Sequence, residues 1–498
     1  MIKKILIANR GEIAVRIIRA CKELGIIAAA VYSDADKKAK HTLLADEAYY
    51  IGEAPSNQSY LVKEKLITLA KNIEADAIHP GYGFLSENTA FIEMVENENL
   101  IFIGPSSTSV KLMGSKTSAR SLMKKNNVPV VPGTIKPIQN LEEGIETAIK
   151  IRFPVLLKAS AGGGGKGMRI VNSEREFKDA FEAAKREAEK AFGDSSIYIE
   201  KLIENPKHIE VQIIADKHGN YAHLFERECS VQRRHQKIIE ESPSSSIDEI
   251  TRGKITEAAI QAAKACNYYS AGTIEFLMDR ERNFYFLEMN TRLQVEHPVT
   301  ELVSGIDLVK EQIRIASGEK LSFKQNDLKI HGHAIECRIY AEDPLNNFLP
   351  STGILLNYFE PAGPGIRVDS GFQQGSEITV YYDPLIAKII SWSCDRESAI
   401  KRMIRALDEY SISGIKNNIS FLKNVLSHKR FLDSSFNINF IENSITEILN
   451  AHTAVNKTIS DEDVAAISAL LIKLNPHPTS RSENITTSFN RWTEQNYE

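Results

Sequence analysis

Apolar and polar positions over the first hundred residues predict strands and helices in alternation. The runs KILIA, IIAAAVY, DAIH and LIFIG are mostly apolar, as expected for strands buried on both faces of a parallel sheet. Between the first two runs, Ile13, Ile17, Ala20 and Leu24 recur at helical spacing. This alternation predicts an open α/β domain, in which ligands bind beyond the carboxyl ends of the strands.

Two glycine-containing turns fall at those strand ends, at residues 9–11 and at HPGYGF, residues 79–84. Neither turn matches GxGxxG, so they do not indicate a dinucleotide site. For each glycine, a tight turn from strand to helix is at least as good an explanation as contact with a ligand.

A second unit begins after the boundary marked by VPVVPGT, which follows a helix predicted over residues 106–126 and carrying Lys116. Its elements are the strand PVLLKAS, the loop AGGGGKG, the strand MRIV, a helix from Glu174 to Ala191 and the strand SIYIEKL. The loop contains GxGxxG, but a strand follows it, and Gly167 stands where a Walker A motif has Ser or Thr. We predict a mobile hairpin whose amides close over phosphates, with a plain surface linker as the weaker alternative.

Two hairpins and a helix follow in the same unit. KHIEVQIIAD pairs with YAHLFERE, a helix runs from about Asp248 to Cys266, and AGTIEFLMD pairs with NFYFLEMN. In the second hairpin Glu275 would face Glu288, and like charges opposed on one face destabilise a sheet. A cation between them removes the conflict, and oxygen ligands of this kind suit Mg²⁺ or Mn²⁺. The alternative is that both carboxylates point to solvent.

The third unit begins with HGHAIECRIYAED, which alternates as a strand and places Glu336, Arg338 and Tyr340 on one face. Strands at GIRVDS and within SEITVYYDPLIAKIISWS follow, and then a helix from Arg396 to Tyr410. From this pattern alone, an ion pair between Arg338 and Glu336 is the favoured role for the arginine. SDEDVAAISALLIKL predicts a last helix, and the polar residues after it predict a disordered tail.

Composition narrows the class of protein. The 498 residues are 42% hydrophobic and 25% charged, which is typical of a globular protein. The net charge of −4 argues against nucleic-acid binding. Five scattered cysteines, without CxxC spacing, predict reduced thiols in a cytoplasmic protein. The first apolar run is too short for a signal peptide, and no run is long enough to predict a membrane span.

Several of these motifs together resemble the biotin carboxylase family of ATP-grasp enzymes. They are IANRGEIAVRI, AIHPGYGFLSEN, FIGPS, LMGSK, LLKASAGGGGKGMR, ERECSVQRRHQKIIEESP, FLEMNTRLQVEHPVTE, GHAIECRIYAED and YYDPLIAK. The resemblance runs from about residue 2 to residue 450. It implies a Rossmann-like α/β N-terminal domain, an ATP-grasp domain with a glycine-rich lid, and a C-terminal α+β domain. We place these at 1–115, 116–330 (lid about 131–203) and 331–450, followed by an extension over 451–498.

The resemblance also implies the reaction and its residues. ATP activates bicarbonate as carboxyphosphate, and CO₂ then passes to N1 of biotin on a carrier protein. The implied ATP site comprises Lys116, Lys158, Gly164, Gly165, Glu200, Lys201, Leu202, Ile203, His208, Gln232, His235, Glu275 and Glu288. The implied ligands of two Mg²⁺ or Mn²⁺ ions are Glu275, Glu288 and Asn290. The implied bicarbonate and biotin contacts are Lys237, Arg292, Gln294, Val295, Arg338, Tyr82 and Phe84. The implied catalytic residues are Glu296, Arg338, Arg292 and Lys237.

Two of these roles have a physical reason beyond the resemblance. Bicarbonate needs a base, and Glu296, among other carboxylates, is expected to have a raised pKa suited to that task. Arg338 suits the oxyanion that develops on the biotin ureido group. Tyr82 and Phe84 would supply a face for the biotin rings, although ordinary packing explains Phe84 almost as well. His297 is expected to be structural.

No Ala-Met-Lys-Met biotin-acceptor motif occurs, and Met123-Lys124 is the only Met-Lys pair. We therefore expect a separate biotin carboxyl carrier protein and a separate carboxyltransferase subunit, and the resemblance implies a homodimer within a larger complex. An acyl-CoA carboxylase for acetyl- or propionyl-CoA is the leading assignment, with a two-subunit pyruvate carboxylase as the alternative. More distant alternatives are an ATP-grasp carboxylate-amine ligase and a non-catalytic nucleotide-binding scaffold.

Overall fold

The computed structural model describes residues 2–134, 136–138, 140–159, 168–192, 195–455 and 465–470. Among the described helices, none is long and apolar enough to cross a membrane.

The N-terminal region is the open parallel sheet that the apolar runs predict. Its elements are β1 (Lys4–Ile7), α1 (Gly11–Glu23), β2 (Ile27–Ser33), α2 (Lys40–Leu44), β3 (Glu47–Gly52), α3 (Lys63–Asn72), β4 (Ala77–His79), α4 (Thr89–Asn97) and β5 (Ile101–Phe102). Within the described residues the strand order is β3-β2-β1-β4-β5, with every pair parallel. Ile5 and Leu6 point to opposite faces of β1, and both are fully buried. Because β1 and β4 are neighbours, the two glycine turns that follow them meet at one edge.

The helix predicted over residues 106–126 is wrong in one respect, because the structure divides it. The two helices are α5 (Ser107–Gly114) and α6 (Lys116–Lys125). Ser115 between them has an extended backbone (φ −88°, ψ 109°), and its side chain accepts a hydrogen bond from the backbone N–H of Ser118. A serine N-cap favours a new helix at this point over continuation of the old one. Lys116 therefore lies at a helix start.

A small antiparallel sheet follows, as predicted from the strands around the glycine run. Its elements are α7 (Leu141–Ile151), β6 (Val155–Ala159), β7 (Met168–Val171), α8 (Glu174–Phe192) and β8 (Ile197–Lys201). The strand order among the described residues is β7-β6-β8. Pairing of Val155 with Val171 confirms the hairpin. The glycine run lies outside the described residues, so closure over phosphates stays a prediction.

The next elements build the larger part of the main sheet. They are β9 (Lys207–Ala215), β10 (Tyr221–Arg233), β11 (Gln236–Ser242), α9 (Glu249–Ala265), β12 (Ser270–Met278), β13 (Phe284–Asn290), α10 (His297–Ser304), α11 (Leu308–Ala316) and β14 (His333–Tyr340). Both predicted hairpins, β9 with β10 and β12 with β13, are present. The register of the second opposes Glu275 to Glu288, as predicted.

The C-terminal region adds two strands to that sheet. Its elements are β15 (Glu342–Asp343), β16 (Leu349–Pro350), β17 (Gly353–Ile354), β18 (Asn357–Phe359), β19 (Ile366–Ser370), β20 (Glu377–Ile378), β21 (Leu385–Ser393), α12 (Arg396–Glu409), β22 (Ser411–Ser413), α13 (Ile419–Ser427), α14 (Lys429–Leu432) and α15 (Phe440–Val455). Over the described residues the order is β13-β12-β9-β10-β11-β14-β21-β19. One continuous sheet therefore contains strands from both sides of residue 330.

The end of the chain is described only in part. Residues 465–470, within the predicted last helix, are helical and exposed. The predicted disordered tail and the start of the predicted last helix, residues 460–464, lie outside the described residues.

Packing of the C-terminal helices predicts a stability difference between two adjacent residues. Phe431 is fully buried and stacks on Phe436 with 5.4 Å between ring centroids, whereas Leu432 is 50% exposed. Phe431→Ala should lower the free energy of unfolding by about 3–5 kcal/mol, because it removes a buried ring and leaves a cavity. Leu432→Ala, as the matched control, should change it by less than about 0.5 kcal/mol. Urea denaturation of both variants measures the difference, and equal midpoints would contradict this packing.

Candidate active site

The β12–β13 hairpin places an acidic pair at the centre of the site. Glu275 is buried, Glu288 is half-buried, and the two residues are opposed across the ladder. Burial and the charge of Glu275 raise the pKa of Glu288. Burial alone would also raise the pKa of Glu275, but Lys237 and His208 hold it well below its usual range. The Glu288 carboxylate is thus the less compensated of the two, which is the condition that a bound divalent cation relieves.

Asn290 lies beside this pair and carries an amide oxygen. Its Nδ2 donates to Glu275 Oε1 at 2.9 Å, while its Oδ1 accepts from Arg292 at 2.9 Å. Carboxylate and amide oxygens are hard ligands, so the set Glu275, Glu288 and Asn290 fits Mg²⁺ or Mn²⁺. Glu210, buried beside His208 and Glu275, lies close enough to belong to the same cluster, although its sequence context does not single it out.

Lys237 brings three buried carboxylates together. Its Nζ donates to Glu210 at 2.6 Å, to Glu275 at 2.9 Å and to Glu296 at 2.6 Å. Burial would lower the pKa of Lys237, but these carboxylates raise it well above its usual range. The ammonium group therefore stays charged and links the acidic pair of the hairpin to Glu296.

The expectation that Glu296 has a raised pKa is wrong in this structure. Burial alone would raise the pKa, but Lys237 and Arg338 hold it well below its usual range. Arg338 contacts Glu296 Oε2 at 3.0 Å. The sequence shows the acidic neighbours of Glu296, whereas both compensating cations come from other strands.

The favoured ion pair between Arg338 and Glu336 is also absent from the hydrogen bonds of the described residues. Arg338 Nε donates instead to Glu240 Oε1 at 2.7 Å. Glu240 lies on β11, directly opposite Glu336 in the β11–β14 ladder, so Arg338 meets it diagonally, at a separation that a long side chain spans. Glu336 is fully buried, and its pKa is raised well above its usual range by that burial. Arg338 thus faces Glu296 and not its neighbour in sequence.

Arg227 is a site residue that sequence reasoning missed. It is fully buried and donates to Glu210, to Gln212, to Thr300, to Thr273 and to Gln294. The Gln294 oxygen accepts from Arg227 at 2.6 Å, so its amide nitrogen is free to donate to Glu275 at 2.9 Å. The only sequence signal was an arginine within a long strand, which does not reveal a buried position.

The loop after β13 is tied to the N-terminal sheet through Glu87. Glu87 accepts from the backbone N–H of Thr291 at 2.9 Å and from Arg292 Nε at 2.8 Å. Glu87 belongs to the FLSEN motif that follows β4. This contact explains why two motifs that are far apart in sequence serve one site.

The residues predicted to bind the nucleotide do not all lie in the same environment. His208 is buried, with Nδ1 3.0 Å from Gln232 and Nε2 3.0 Å from Glu275. Lys158 and Arg120 both contact Glu200, so the Glu200 side chain is engaged within the protein. Lys116 and His235, the latter in the turn after β10, are exposed. Leu202 and Ile203 are half-buried, and Lys201 donates to the Arg152 and Phe153 carbonyls. Gly164 and Gly165 lie outside the described residues.

A cavity of about 510 Å³ opens beside Arg338 and is lined by residues of all three regions. Tyr82, Phe84, Arg292, Val295 and Arg338 all lie in its wall. The Tyr82 hydroxyl donates to Glu12, and the Phe84 ring stacks on Tyr60 with 5.1 Å between centroids. Phe84 therefore both packs internally and faces the cavity. Asn9 links the two glycine turns, because its Nδ2 donates to the Pro80 and Tyr82 carbonyls at 2.6 and 2.7 Å.

Three domain families match the chain in order. They are the biotin carboxylase N-terminal domain at residues 1–110, the carbamoyl-phosphate synthase L chain ATP-binding domain at 115–324 and the biotin carboxylase C-terminal domain at 336–443. The central match, together with the lid-like small sheet and the acidic hairpin, defines an ATP-grasp ligase. The chain belongs to the biotin carboxylase family.

Individual relatives agree with this assignment. Biotin carboxylase 1 of Bacillus subtilis (strain 168) is 52% identical over 443 residues, which cover 89% of this chain and 98% of the relative. The mitochondrial methylcrotonoyl-CoA carboxylase subunit alpha of Rattus norvegicus is 51% identical over 92% of this chain, but this chain spans only 64% of that subunit. The biotin carboxylase domain dimer of Hydrogenobacter thermophilus 2-oxoglutarate carboxylase, solved with MgADP, ADP and bicarbonate, matches with a TM-score of 0.83 at 49% identity, covering 90% of this chain and 99% of that chain.

The Lys237 cluster generates a pH-dependent prediction. Without this ammonium group, the buried Glu275 and Glu296 lose their main compensating charge, so Lys237→Met should cost about 3–5 kcal/mol of stability near neutral pH. In the wild type both carboxyl pKa values are lowered, so their stabilisation is present above the ordinary carboxyl pKa and is lost as the pH falls through the lowered values. In the variant burial raises both pKa values, and protonation of the folded state relieves the cost.

The deficit in melting temperature should therefore be largest at about pH 8 and should shrink towards about pH 5. Thermal melts of metal-free protein at both pH values measure it. Lys401→Met is the matched control, because Lys401 pairs at 2.6 Å with Glu397 on an exposed helix face, and it should change nothing. A deficit for Lys237→Met that does not vary with pH would contradict the charge argument.

Proposed function

We propose that this chain is the biotin carboxylase component of an acyl-CoA carboxylase. It would use ATP to activate bicarbonate as carboxyphosphate and would carboxylate N1 of biotin carried on a separate protein. The family matches support domain limits near residues 115 and 330. The cytoplasmic location stays a prediction.

One observation carries the proposal: Lys237, Glu296 and Arg338 form a continuous contact chain from the acidic hairpin to the cavity. Lys237 contacts Glu275 at one end, and Arg338 lines the cavity at the other. Glu296 lies between them, within 2.6 Å of Lys237 and 3.0 Å of Arg338. A phosphate-activating centre and a second substrate site would thus share one carboxylate, as a two-step transfer requires.

At the acidic-hairpin end of this series of contacts, residues of two sheets would hold the nucleotide. Lys116 and Lys158 would bind phosphates by charge, and His208 with Gln232 would complete the pocket floor. The residues from Glu200 to Ile203, at the end of β8, would contact the base. Glu275, Glu288 and Asn290 would hold the metal ions, which neutralise phosphate charge when bound. The Hydrogenobacter domain, solved with MgADP, supports these assignments.

Bicarbonate would bind where Lys237, Arg292, Gln294 and the Val295 backbone converge. As an anion it would compete with Glu296 for Lys237, which would weaken the contact that now lowers the pKa of Glu296. The pKa would rise towards the range in which a carboxylate removes a proton effectively at neutral pH. Glu296 is thus proposed as the general base in the loaded site, although its pKa is low without substrate.

Arg338 would act on the biotin side. Its guanidinium is held by Glu240 and Glu296, so its orientation is set before a ligand enters. A pre-oriented, permanent cation stabilises a developing ureido oxyanion without reorganisation. Tyr82 and Phe84 would supply the apolar wall for the biotin rings.

The partners would be a biotin carboxyl carrier protein and a carboxyltransferase subunit, with the chain itself forming a homodimer. The dimer of the Hydrogenobacter domain supports the last point. The similarity to a methylcrotonoyl-CoA carboxylase subunit favours an acyl-CoA acceptor. Pull-down of the partner subunits, followed by carboxylation assays with acetyl-, propionyl- and methylcrotonoyl-CoA and with pyruvate, would identify it.

The test of the proposal is a pair of dependences. ATP hydrolysis by the purified chain should require bicarbonate and should increase with free biotin. Glu296→Gln should lower biotin carboxylation by at least about a hundredfold, because the base is lost, and should leave the nucleotide dissociation constant within about twofold. ATP hydrolysis assays and calorimetric titration with MgADP measure these quantities.

Glu397→Gln is the matched control, since this glutamate is exposed on α12 and should leave all rates unchanged. ATP hydrolysis that is indifferent to both bicarbonate and biotin would refute the function. A wild-type rate for Glu296→Gln would remove only the proposed base.

A further inference from the structure

Lys388 on β21 is a fully buried lysine that has no part in the reaction proposed above. It is 0% exposed, and it lies directly opposite Arg338 in the β14–β21 ladder. Two cations opposed on one sheet face repel each other. Such a pair in the interior persists only if each cation has its own anionic partners. Those partners show what Lys388 does.

The Lys388 ammonium group bridges the loop after β13 and the N-terminal region. Nζ donates to the backbone carbonyl of Val295 at 2.7 Å and lies 3.1 Å from Glu12 Oε1. Glu12 in turn accepts a hydrogen bond from the Tyr82 hydroxyl. One ammonium group therefore holds the backbone next to Glu296 and, through Glu12, a side chain in the cavity wall.

The groups around Lys388 keep it charged. Burial would lower its pKa, but Glu12, Glu336 and Asp369 raise it above its usual value, against an opposing effect of Arg367. Asp369 lies opposite Lys388 on β19, and Glu336 lies on β14. A neutral side chain of similar length could fill the same space, but it could not hold Glu12 and the Val295 carbonyl together.

We propose that Lys388 is a positioning residue, which keeps the bicarbonate-binding loop at Val295 in register with the biotin-facing Tyr82 through Glu12. The idea rests on the proposed function. It assigns to β21 the task of aligning two substrates that are bound by different parts of the chain. Misalignment of reacting groups by about 1 Å costs about a hundredfold in rate, so loss of this contact should uncouple the two half-reactions.

Two variants test the role. Lys388→Met removes the ammonium group, and Lys388→Met combined with Glu12→Gln removes both charges of the ion pair, so that Glu12 is not left buried without its cation. In both, the bicarbonate KM should rise about tenfold, and the amount of biotin carboxylated per ATP hydrolysed should fall by about tenfold or more. Calorimetric titration of bicarbonate into protein loaded with MgADP should show the same loss of affinity. The MgADP dissociation constant should stay within about twofold, because none of its proposed contacts touches Lys388. Lys388→Arg, which keeps the charge and a donor, should recover part of the coupling.

A merely structural role predicts a different result. All rates would then fall by the same factor in the double variant, with the bicarbonate KM and the coupling ratio unchanged, and that result would overturn the proposal. Lys401→Met, a lysine in an exposed ion pair, is the control and should match the wild type. Measurements on the wild type distinguish failure of the proposed function from failure of the role of Lys388. If the wild type shows no bicarbonate-dependent ATP hydrolysis, the proposed function is refuted. If the wild type behaves as proposed but the coupling ratio is unchanged in the double variant, only the role of Lys388 is refuted.

Discussion

The site depends on one ammonium group surrounded by buried carboxylates. Lys237 lies within 2.6–2.9 Å of Glu210, Glu275 and Glu296, and its positive charge offsets part of the cost of burying these three carboxylates side by side. The acids come from β9, from β12 and from the turn before α10. The same interaction also joins the acidic β12–β13 hairpin to Glu296, whose other partner, Arg338, lines the cavity.

The continuous main sheet is what makes these contacts possible. Because β14 pairs with β11, Arg338 on β14 contacts Glu240 on β11 and also reaches Glu296 in the turn before α10. Because β21 pairs with β14, Lys388 lies opposite Arg338 and contacts the loop that carries Glu296. The sheet therefore brings Arg338 and Lys388, two cations of the C-terminal strands, against partners from the central and N-terminal regions that are distant in sequence.

The local pattern of apolar and polar residues was enough to predict much of the fold of this protein. Continuous apolar runs predicted the parallel N-terminal sheet, and the hairpin register that opposes Glu275 to Glu288 followed from a short turn between two alternating strands. The motif resemblance identified the family without any structure. These features depend on interactions between residues close in sequence, or on residue types in a fixed order, so a single chain carries the information. The division of one predicted helix at Ser115 was missed because its N-cap signal lies within an otherwise helical pattern.

Only the tertiary structure decided which charged groups pair and how their pKa values shift. The low pKa of Glu296, the pairing of Arg338 with Glu240 and the burial of Arg227 and Lys388 all depend on partners that pattern does not bring together. Lys237 and Glu296 are 59 positions apart, and Arg338 and Glu240 are 98 apart. A pKa depends on distances of a few ångströms and on burial, and both are properties of the packed sheet. The sequence therefore determined which charged groups the site contains, and only the fold determined which of them form ion pairs.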